Sequence, residues 1–377
     1  MERVDLTESR YHRQELITWW DQSKLRAAKI LVVGAGAIGN EVVKNLALVG
    51  IGHVEVVDMD TIEHSNLARC VFFREHHEGQ PKAAVLASEV MALNPDVTAV
   101  AHVMPVQRLG IGYLRDFDII IGALDNREAR AWVNQAARKL GKYWIDAAIE
   151  GLRGLVRTFG PEGSCYACTL TEADYKQMAH RRSCALLAPE EMLGGKTPTN
   201  ATTASIVAGI QVQEAIKFLV GRIDLMALVG KSWQYTGDSM QTYVMGYQPD
   251  EYCLAHDTYE NWQIAENVSS LADLVKLAET QTGEAAVAVD FEEDLITLKP
   301  CTTCGGHETS AVRSSFALGG GLCSICGNEL PGETSTMLQP TDARLSFEPE
   351  SFKFPLSEFV TVRTANQRVH FVLEGSK

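Results

Sequence analysis

An α/β fold with a Rossmann-like, doubly wound, mostly parallel sheet is predicted over residues 1–262 by three stretches. Residues 30–33 (Ile-Leu-Val-Val) run into Gly34-Ala35-Gly36-Ala37-Ile38-Gly39. Residues 54–57 lead to Asp58, nineteen residues after Gly39. Residues 117–122 form a third apolar run that ends in Ala123-Leu124-Asp125-Asn126.

Each element follows from its residues. Positions 30–33 are apolar with β-branched members and stop at a turn, as a strand buried on both faces requires. Gly34 and Gly36 permit a tight turn and a close backbone approach, and Gly39 lets the next helix pack on the strand. Apolar side chains at helical spacing over residues 40–48 form that helix, whose N-terminus then faces a phosphate. At the end of the second strand the Asp58 carboxylate can accept hydrogen bonds from ribose hydroxyls. A nicotinamide-dependent dehydrogenase has the same pattern up to this point.

Asn66, Arg69 and Lys82 separate the two possibilities, because a dehydrogenase has no general use for them beyond the ribose carboxylate, whereas a triphosphate does. Arg offers a planar fork of donors to phosphate oxygens and Lys a point charge, and together they offset the charge that develops as pyrophosphate leaves. Their bland alternative is a solvated charged loop. Ligands of open α/β sheets bind at the carboxyl ends of the strands, so Asp125 is placed to hold magnesium on the phosphates. Alternatively it caps the helix that starts near Arg127.

Taken together, these motifs resemble the ubiquitin-activating-enzyme-like adenylyltransferases, whose bacterial members include the ThiF and MoeB proteins of sulfur-carrier activation. The resemblance covers roughly residues 8–260. It rests, in order, on Arg10-Tyr11-His12-Arg13-Gln14, the glycine turn, Asp58-Met59-Asp60, Ser65-Asn66-Leu67-Ala68-Arg69, Gln80-Pro81-Lys82, Asp125-Asn126, Cys165-Tyr166-Ala167-Cys168 and Ala208-Gly209-Ile210-Gln211-Val212-Gln213-Glu214-Ala215. It implies a ThiF-type domain that binds ATP through Gly34, Gly36, Gly39, Asp58, Asp60, Asn66, Arg69 and Lys82, with magnesium at Asp125. Arg13 matches the arginine that reaches the neighbouring subunit's phosphates in dimeric members, which implies a homodimer with composite sites. One position departs from the family: glutamine usually follows the arginine matched by Arg69, and Cys70 stands there instead.

The reaction implied is attack by the C-terminal carboxylate of a ubiquitin-like protein on the α-phosphate of ATP. A carboxylate is already a competent nucleophile at neutral pH, so alignment and electrostatic stabilisation matter more than a protein base.

Nine cysteines in a chain that starts too polar for a signal peptide (Met1-Glu2-Arg3-Val4-Asp5) favour metal or catalytic roles over disulfides. Cys301/Cys304 and Cys323/Cys326 are two Cys-x2-Cys pairs eighteen residues apart, interspersed with glycines, the spacing of a structural zinc ribbon at 301–326. Cys165 and Cys168 match the first half of a zinc site that many family members carry. The nearest second half is Cys253 with His256, although His256 as a surface histidine, or Cys165 and Cys168 joined to a distal pair, are alternatives.

Cys184 stands alone, after Arg181 and Arg182, in a crossover loop expected at about 169–203. Neighbouring arginines favour its thiolate. In the family, a cysteine in this loop accepts the activated carboxyl end as a thioester or persulfide, and the alternative is a small buried hydrophobe beside Leu186 and Leu187.

Beyond residue 262 the resemblance fades. A helix is expected at 271–277, strands at 285–289, 295–298 and 369–373, and a small α/β zinc-ribbon domain at 263–377, serving as a docking surface. Residues 222–240 are expected to cross back over the sheet, with strands at 232–235 and 241–244.

Composition restricts the function classes. The 377 residues are 46% hydrophobic, enough for two or more cores, without an apolar run that would span a bilayer, so a soluble cytoplasmic protein is expected. A net charge of −14 argues against broad nucleic-acid binding. The ending Gly375-Ser376-Lys377 is not a Gly-Gly terminus, so the chain is not expected to be the carrier itself. The expected partners are a ubiquitin-like or sulfur-carrier protein and a conjugating enzyme. Two alternatives stay open: sulfur-carrier or peptide adenylation without conjugation, and a non-catalytic nucleotide-binding scaffold.

Overall fold

The apolar run at residues 30–33 is strand β1 (Lys29–Val33), buried at all but its first residue. It belongs to a computed structural model that describes residues 9–176, 198–266, 268–298, 301–305, 311–313, 323, 325–328, 332–352 and 354–374. These fall into two units, one drawn from residues within 1–106, 115–175 and 193–258, the other from residues within 107–114, 176–192 and 259–377.

In the first unit β1 is joined by β2 (His53–Val57), β3 (Thr98–His102), β4 (Ile119–Gly122), β5 (Tyr143–Glu150), β6 (Arg153–Phe159), β7 (Lys231–Thr236) and β8 (Gln241–Gly246) in the order β3-β2-β1-β4-β5-β6-β7-β8. The strands from β3 to β5 run parallel, and β6, β7 and β8 extend the sheet antiparallel. The predicted mostly parallel α/β sheet is therefore present. The strands expected at 232–235 and 241–244 are β7 and β8, which extend the sheet's edge as a β-hairpin, β7 pairing with β6.

Strand order reverses between β1 and β4, which opens a crevice at their carboxyl ends. Helices Ala37–Val49, Lys82–Leu93 and Ala201–Leu219 bury apolar faces in the core around Ile30, Val32, Val42, Leu46, Leu86, Ile121 and Val207. Full burial of each such aliphatic side chain stabilises by about 1.5–3 kcal/mol.

The second unit carries β9 (Gln263–Ile264), helix Leu271–Thr282, β10 (Ala286–Leu298), β11 (Ala311–Arg313), β12 (Gly332–Leu338), β13 (Ser357–Thr364) and β14 (Arg368–Glu374) in one six-stranded sheet. The runs at 285–289 and 295–298, expected as two strands, are one. The register against β12 shifts between Asp290 and Leu295, which accommodates the acidic run Glu292-Glu293-Asp294. The helix is capped by Ser270 and packs Leu271, Leu274 and Val275 against Val289, Phe291 and Val360. Among the described residues no helix is long and apolar enough to cross a membrane.

Candidate functional site

The turn after β1 is shaped by two glycines. Gly34 has φ +104°, and a Cβ there would lie 2.4 Å from the Ala123 carbonyl oxygen; at Gly39 it would lie 2.0 Å from the Gly34 oxygen. The loops after β1 and β4 thus touch in the crevice, with Ala123 N donating to Val33 O at 2.8 Å. Asn40, buried in the first turn of the following helix, donates to Ala35 O (2.9 Å) and accepts from Phe72 N (3.2 Å), tying the glycine turn to the 66–73 segment. Sequence reasoning missed Asn40; its only signal is a polar residue directly after the last glycine.

Asp58 accepts from Ala35 N at 2.7 Å and from Asp60 N at 2.8 Å. Burial pushes its pKa up, with the two amides and the Lys82 charge opposing, so it is a partly desolvated acceptor at the end of β2. Lys82 opens helix Lys82–Leu93 and pairs through Nζ with Asp60 at 2.8 Å; its side chain is 13% exposed. Burial disfavours its charge, but the Asp60 bond and the Asp58 field outweigh that and hold the pKa above 10.5.

Asn66 ends the short 3-10 helix His64–Asn66, where its Oδ1 accepts from Glu63 N at 3.0 Å. Arg69 is half-buried and donates to Ser65 O at 2.5 Å. Cys70 is 4% exposed, and burial pushes its thiol up to about 11, so it is a small inert hydrophobe.

The Asp125 carboxylate is exposed just beyond β4. It does not cap the helix: the N-cap of Arg127–Lys139 is Asn126, whose Oδ1 accepts from Ala129 N at 2.8 Å.

Arg13 is exposed on the short helix His12–Glu15. Neighbouring Gln14 donates to Leu48 O at 3.2 Å, and the Tyr11 ring lies where a Cβ on Gly50 would be. Both contacts are at the C-terminal end of helix Ala37–Val49, about 20 Å along its axis from the glycine turn. Within one chain Arg13 and the turn are not brought together.

Two further clusters gather sulfur and imidazole ligands. Cys165, Cys168, Cys253 and His256 have ligand atoms all within 4.8 Å of one another. Cys165 Sγ is 3.8 Å from Cys168 Sγ and 3.7 Å from Cys253 Sγ, and Cys168 Sγ is 3.2 Å from His256 Nε2. Four ligands on a tetrahedral zinc with 2.3 Å bonds to sulfur stand about 3.8 Å apart, so this set can hold zinc. Burial and the Arg138 charge hold the His256 pKa down, which favours the neutral imidazole a metal needs. Asn134, also missed from the sequence, donates to Cys165 Sγ at 3.4 Å and accepts from Tyr166 N at 2.8 Å.

The second cluster is Cys301, Cys304, Cys323 and Cys326. Cys301 and Cys326 Sγ are 3.5 Å apart, and Cys304 and Cys323 Sγ 3.4 Å. Each pair sits on a knuckle: Gly305 N donates to Cys301 O and Gly327 N to Cys323 O, both at 2.8 Å. Amides of Cys304 and Thr303 bring the Cys301 thiol down to about 6. This set too can hold zinc. Cys184 lies outside the described residues.

A family model described as the ThiF family matches residues 10–255. Over 222 residues the chain is 35% identical to the sulfur carrier protein adenylyltransferase of Thermus thermophilus, covering 56% of this chain and 78% of that protein. It is 31% identical over 239 residues to the SAMP-activating enzyme E1 of Haloferax volcanii, covering 62% and 81%. With the NEDD8-activating enzyme E1 catalytic subunit of Schizosaccharomyces pombe it shares 38% identity over 150 residues, 38% of this chain but 34% of that subunit. A crystal structure of E. coli MccB with ATP has the same fold, with TM-score 0.55 and 23% identity over 67% of this chain and 75% of that one.

Proposed function

The chain belongs to the ThiF family, an ATP-using adenylyltransferase, and from that premise we propose that it activates the C-terminal carboxylate of a ubiquitin-like protein by adenylation. The observation that carries this reading is the Lys82–Asp60 ion pair beside Asp58, at the mouth of the glycine turn. A cation held charged next to a ribose acceptor is what a departing pyrophosphate requires.

The carboxylate oxygen attacks the α-phosphorus, forming an acyl–phosphate bond as the bond to the β-phosphate oxygen breaks and pyrophosphate leaves with the electron pair. Asp58 holds the ribose. Asn66, Arg69 and Lys82 hold the phosphates and take up the charge that builds on them. A magnesium ion bound at Asp125 would neutralise phosphate oxygens and align the α-phosphate. Wild-type protein incubated with ATP, magnesium and a candidate carrier is expected to exchange pyrophosphate into ATP, and Asp125→Ala to abolish it. Exchange that survives Asp125→Ala would overturn the magnesium role.

Arg13 completes the site of a second copy of the chain, since it is anchored about 20 Å from its own glycine turn. Arg13→Ala and Lys82→Ala are each expected to be inactive alone and to regain activity when co-expressed, because one composite site per mixed dimer is then intact. No recovery in isolated mixed dimers would assign Arg13 elsewhere.

The Cys184 thiolate attacks the carbonyl of the acyl-adenylate, forming a thioester as the acyl–phosphate bond breaks and AMP leaves, and the carboxyl group then passes to a conjugating enzyme, with the second unit as a docking surface. A second reading is favoured by the 78% coverage of the Thermus sulfur carrier adenylyltransferase: adenylation of a sulfur carrier without conjugation. A DTT-sensitive carrier adduct that disappears in Cys184→Ala while exchange persists supports the first; the same adduct in the mutant removes it.

A further inference from the structure

At the carboxyl end of β4, level with the middle of β5 and β6, lies a polar cluster that the nucleotide chemistry above does not use. Asp146, 0% exposed, is shared by two arginines: Arg130 Nε donates to Oδ1 at 3.0 Å, and Arg157 donates to Oδ2 through Nε at 3.1 Å and through a second guanidinium nitrogen. Arg157 lies over the Tyr166 ring, 4.8 Å from its centroid. Each ion is therefore held in a fixed orientation. The rest of the Arg130 fork is spent on backbone, reaching Ala147 O at 2.9 Å and Leu124 O, the carbonyl immediately before Asp125.

The chain leading to Asp125 is gripped at three consecutive residues. Gly122 O accepts from the fully buried Gln211 Nε2 at 2.8 Å, Ala123 N donates to Val33 O at 2.8 Å, and Leu124 O accepts from Arg130. Asp125, next in line, has an exposed carboxylate whose direction is set by the backbone that precedes it.

Packing alone does not call for this arrangement. A buried anion, a buried cation and a second, partly buried one are costly to desolvate, and apolar residues of similar volume often stabilise as well. What the cluster adds is a guanidinium whose orientation is fixed from behind and whose donors point at the carbonyl before Asp125.

We infer that Arg130, oriented by Asp146 and Arg157, is a positioning residue that fixes the direction of the Asp125 carboxylate. This rests on the reading of Asp125 as the magnesium carboxylate. Groups that orient a metal-binding side chain typically change metal affinity 10–100-fold when altered, without touching the metal. Arg130→Lys keeps the charge but cannot reach Asp146, Ala147 and Leu124 together.

Two quantities are measured on wild type and Arg130→Lys: the magnesium concentration that half-saturates carrier-dependent AMP formation, and AMP affinity without magnesium by calorimetry; Asp125→Ala is assayed beside them for AMP formation itself. Arg130→Lys is expected to raise the half-saturating magnesium about 10-fold with AMP affinity unchanged. An unchanged magnesium response, or a proportional loss of both quantities, would overturn the inference, the second by marking Arg130 as structural only. If Asp125→Ala itself keeps AMP formation, it is the reading of Asp125 that fails; if Asp125→Ala abolishes it and Arg130→Lys leaves the half-saturating magnesium unchanged, only the positioning role fails. Should Arg130→Lys not fold, Arg157→Lys, which loosens the same grip from the far side of Asp146, is judged by the same outcomes.

Discussion

Replacing Lys82 with alanine is expected to lower carboxylate-dependent AMP formation by about 10²–10³-fold, the usual cost of removing one preorganised donor from developing charge. Protein stability should hardly change. The partner Asp60 is half-exposed, and ion pairs with an exposed member contribute about 1 kcal/mol or less. The Lys82 pKa is raised by its hydrogen bond to Asp60 and the charge of Asp58, against the cost of burial. A raised pKa means that the stabilisation from the charged form is fully present below the unfolded-state value and is lost only as pH rises through the higher folded one. Lys82 should therefore stay charged through the physiological range, and no activity limb below about pH 10 should belong to it. A pH–rate profile and a thermal melt of Lys82→Ala check both statements. A large fall in melting temperature would recast Lys82 as a structural residue.

Cys168→Ser is expected to have the largest effect on stability. Purified wild-type protein should carry two zinc ions per chain, one for each ligand cluster. The variant should carry one and unfold with about 4 kcal/mol less free energy or worse, the linkage energy of a ligand present at a thousandfold its dissociation constant. The loss should be felt in the first unit, because Cys165 is buried and its loop is tied to helix Arg127–Lys139 through Asn134. Cys304→Ser, in the second unit, should remove the other zinc. Elemental analysis with calorimetry checks the pair; one zinc in wild type, or two in Cys168→Ser, would mean that the mixed cysteine–histidine cluster is not a zinc site.

The parts of this protein that were legible in the sequence are those set by local rules. The glycine turn, its helix and the strand leading to Asp58 follow from periodicity and from positions where a Cβ has no room. The four-cysteine cluster follows from Cys-x2-Cys spacing, which places both sulfurs of a pair on one knuckle, whereas the family resemblance is needed to single out Cys165 and Cys168. What escaped depends on distant partners. Glu292, Glu293 and Asp294 interrupt the apolar pattern of β10, so its sequence reads as two strands, and only the register shift against β12 lets one strand continue through them. Asn40, Asn134, Arg130 and Asp146 look like ordinary polar residues in the sequence. Their roles come from contacts with residues up to 32 positions away, for which sequence spacing has no rule.

Adenylation at the glycine turn comes before the thioester step proposed for Cys184, and it must hold for that step to matter. The most direct measurement is the product pattern of ATP turnover by phosphorus NMR, with magnesium and two forms of one ubiquitin-like carrier, its C-terminal carboxylate free or amidated. Carboxylate adenylation predicts AMP and pyrophosphate with the free carboxylate, none with the amide, and almost none in Lys82→Ala. Formation of ADP and orthophosphate, or AMP at equal rates with both carriers, would contradict it.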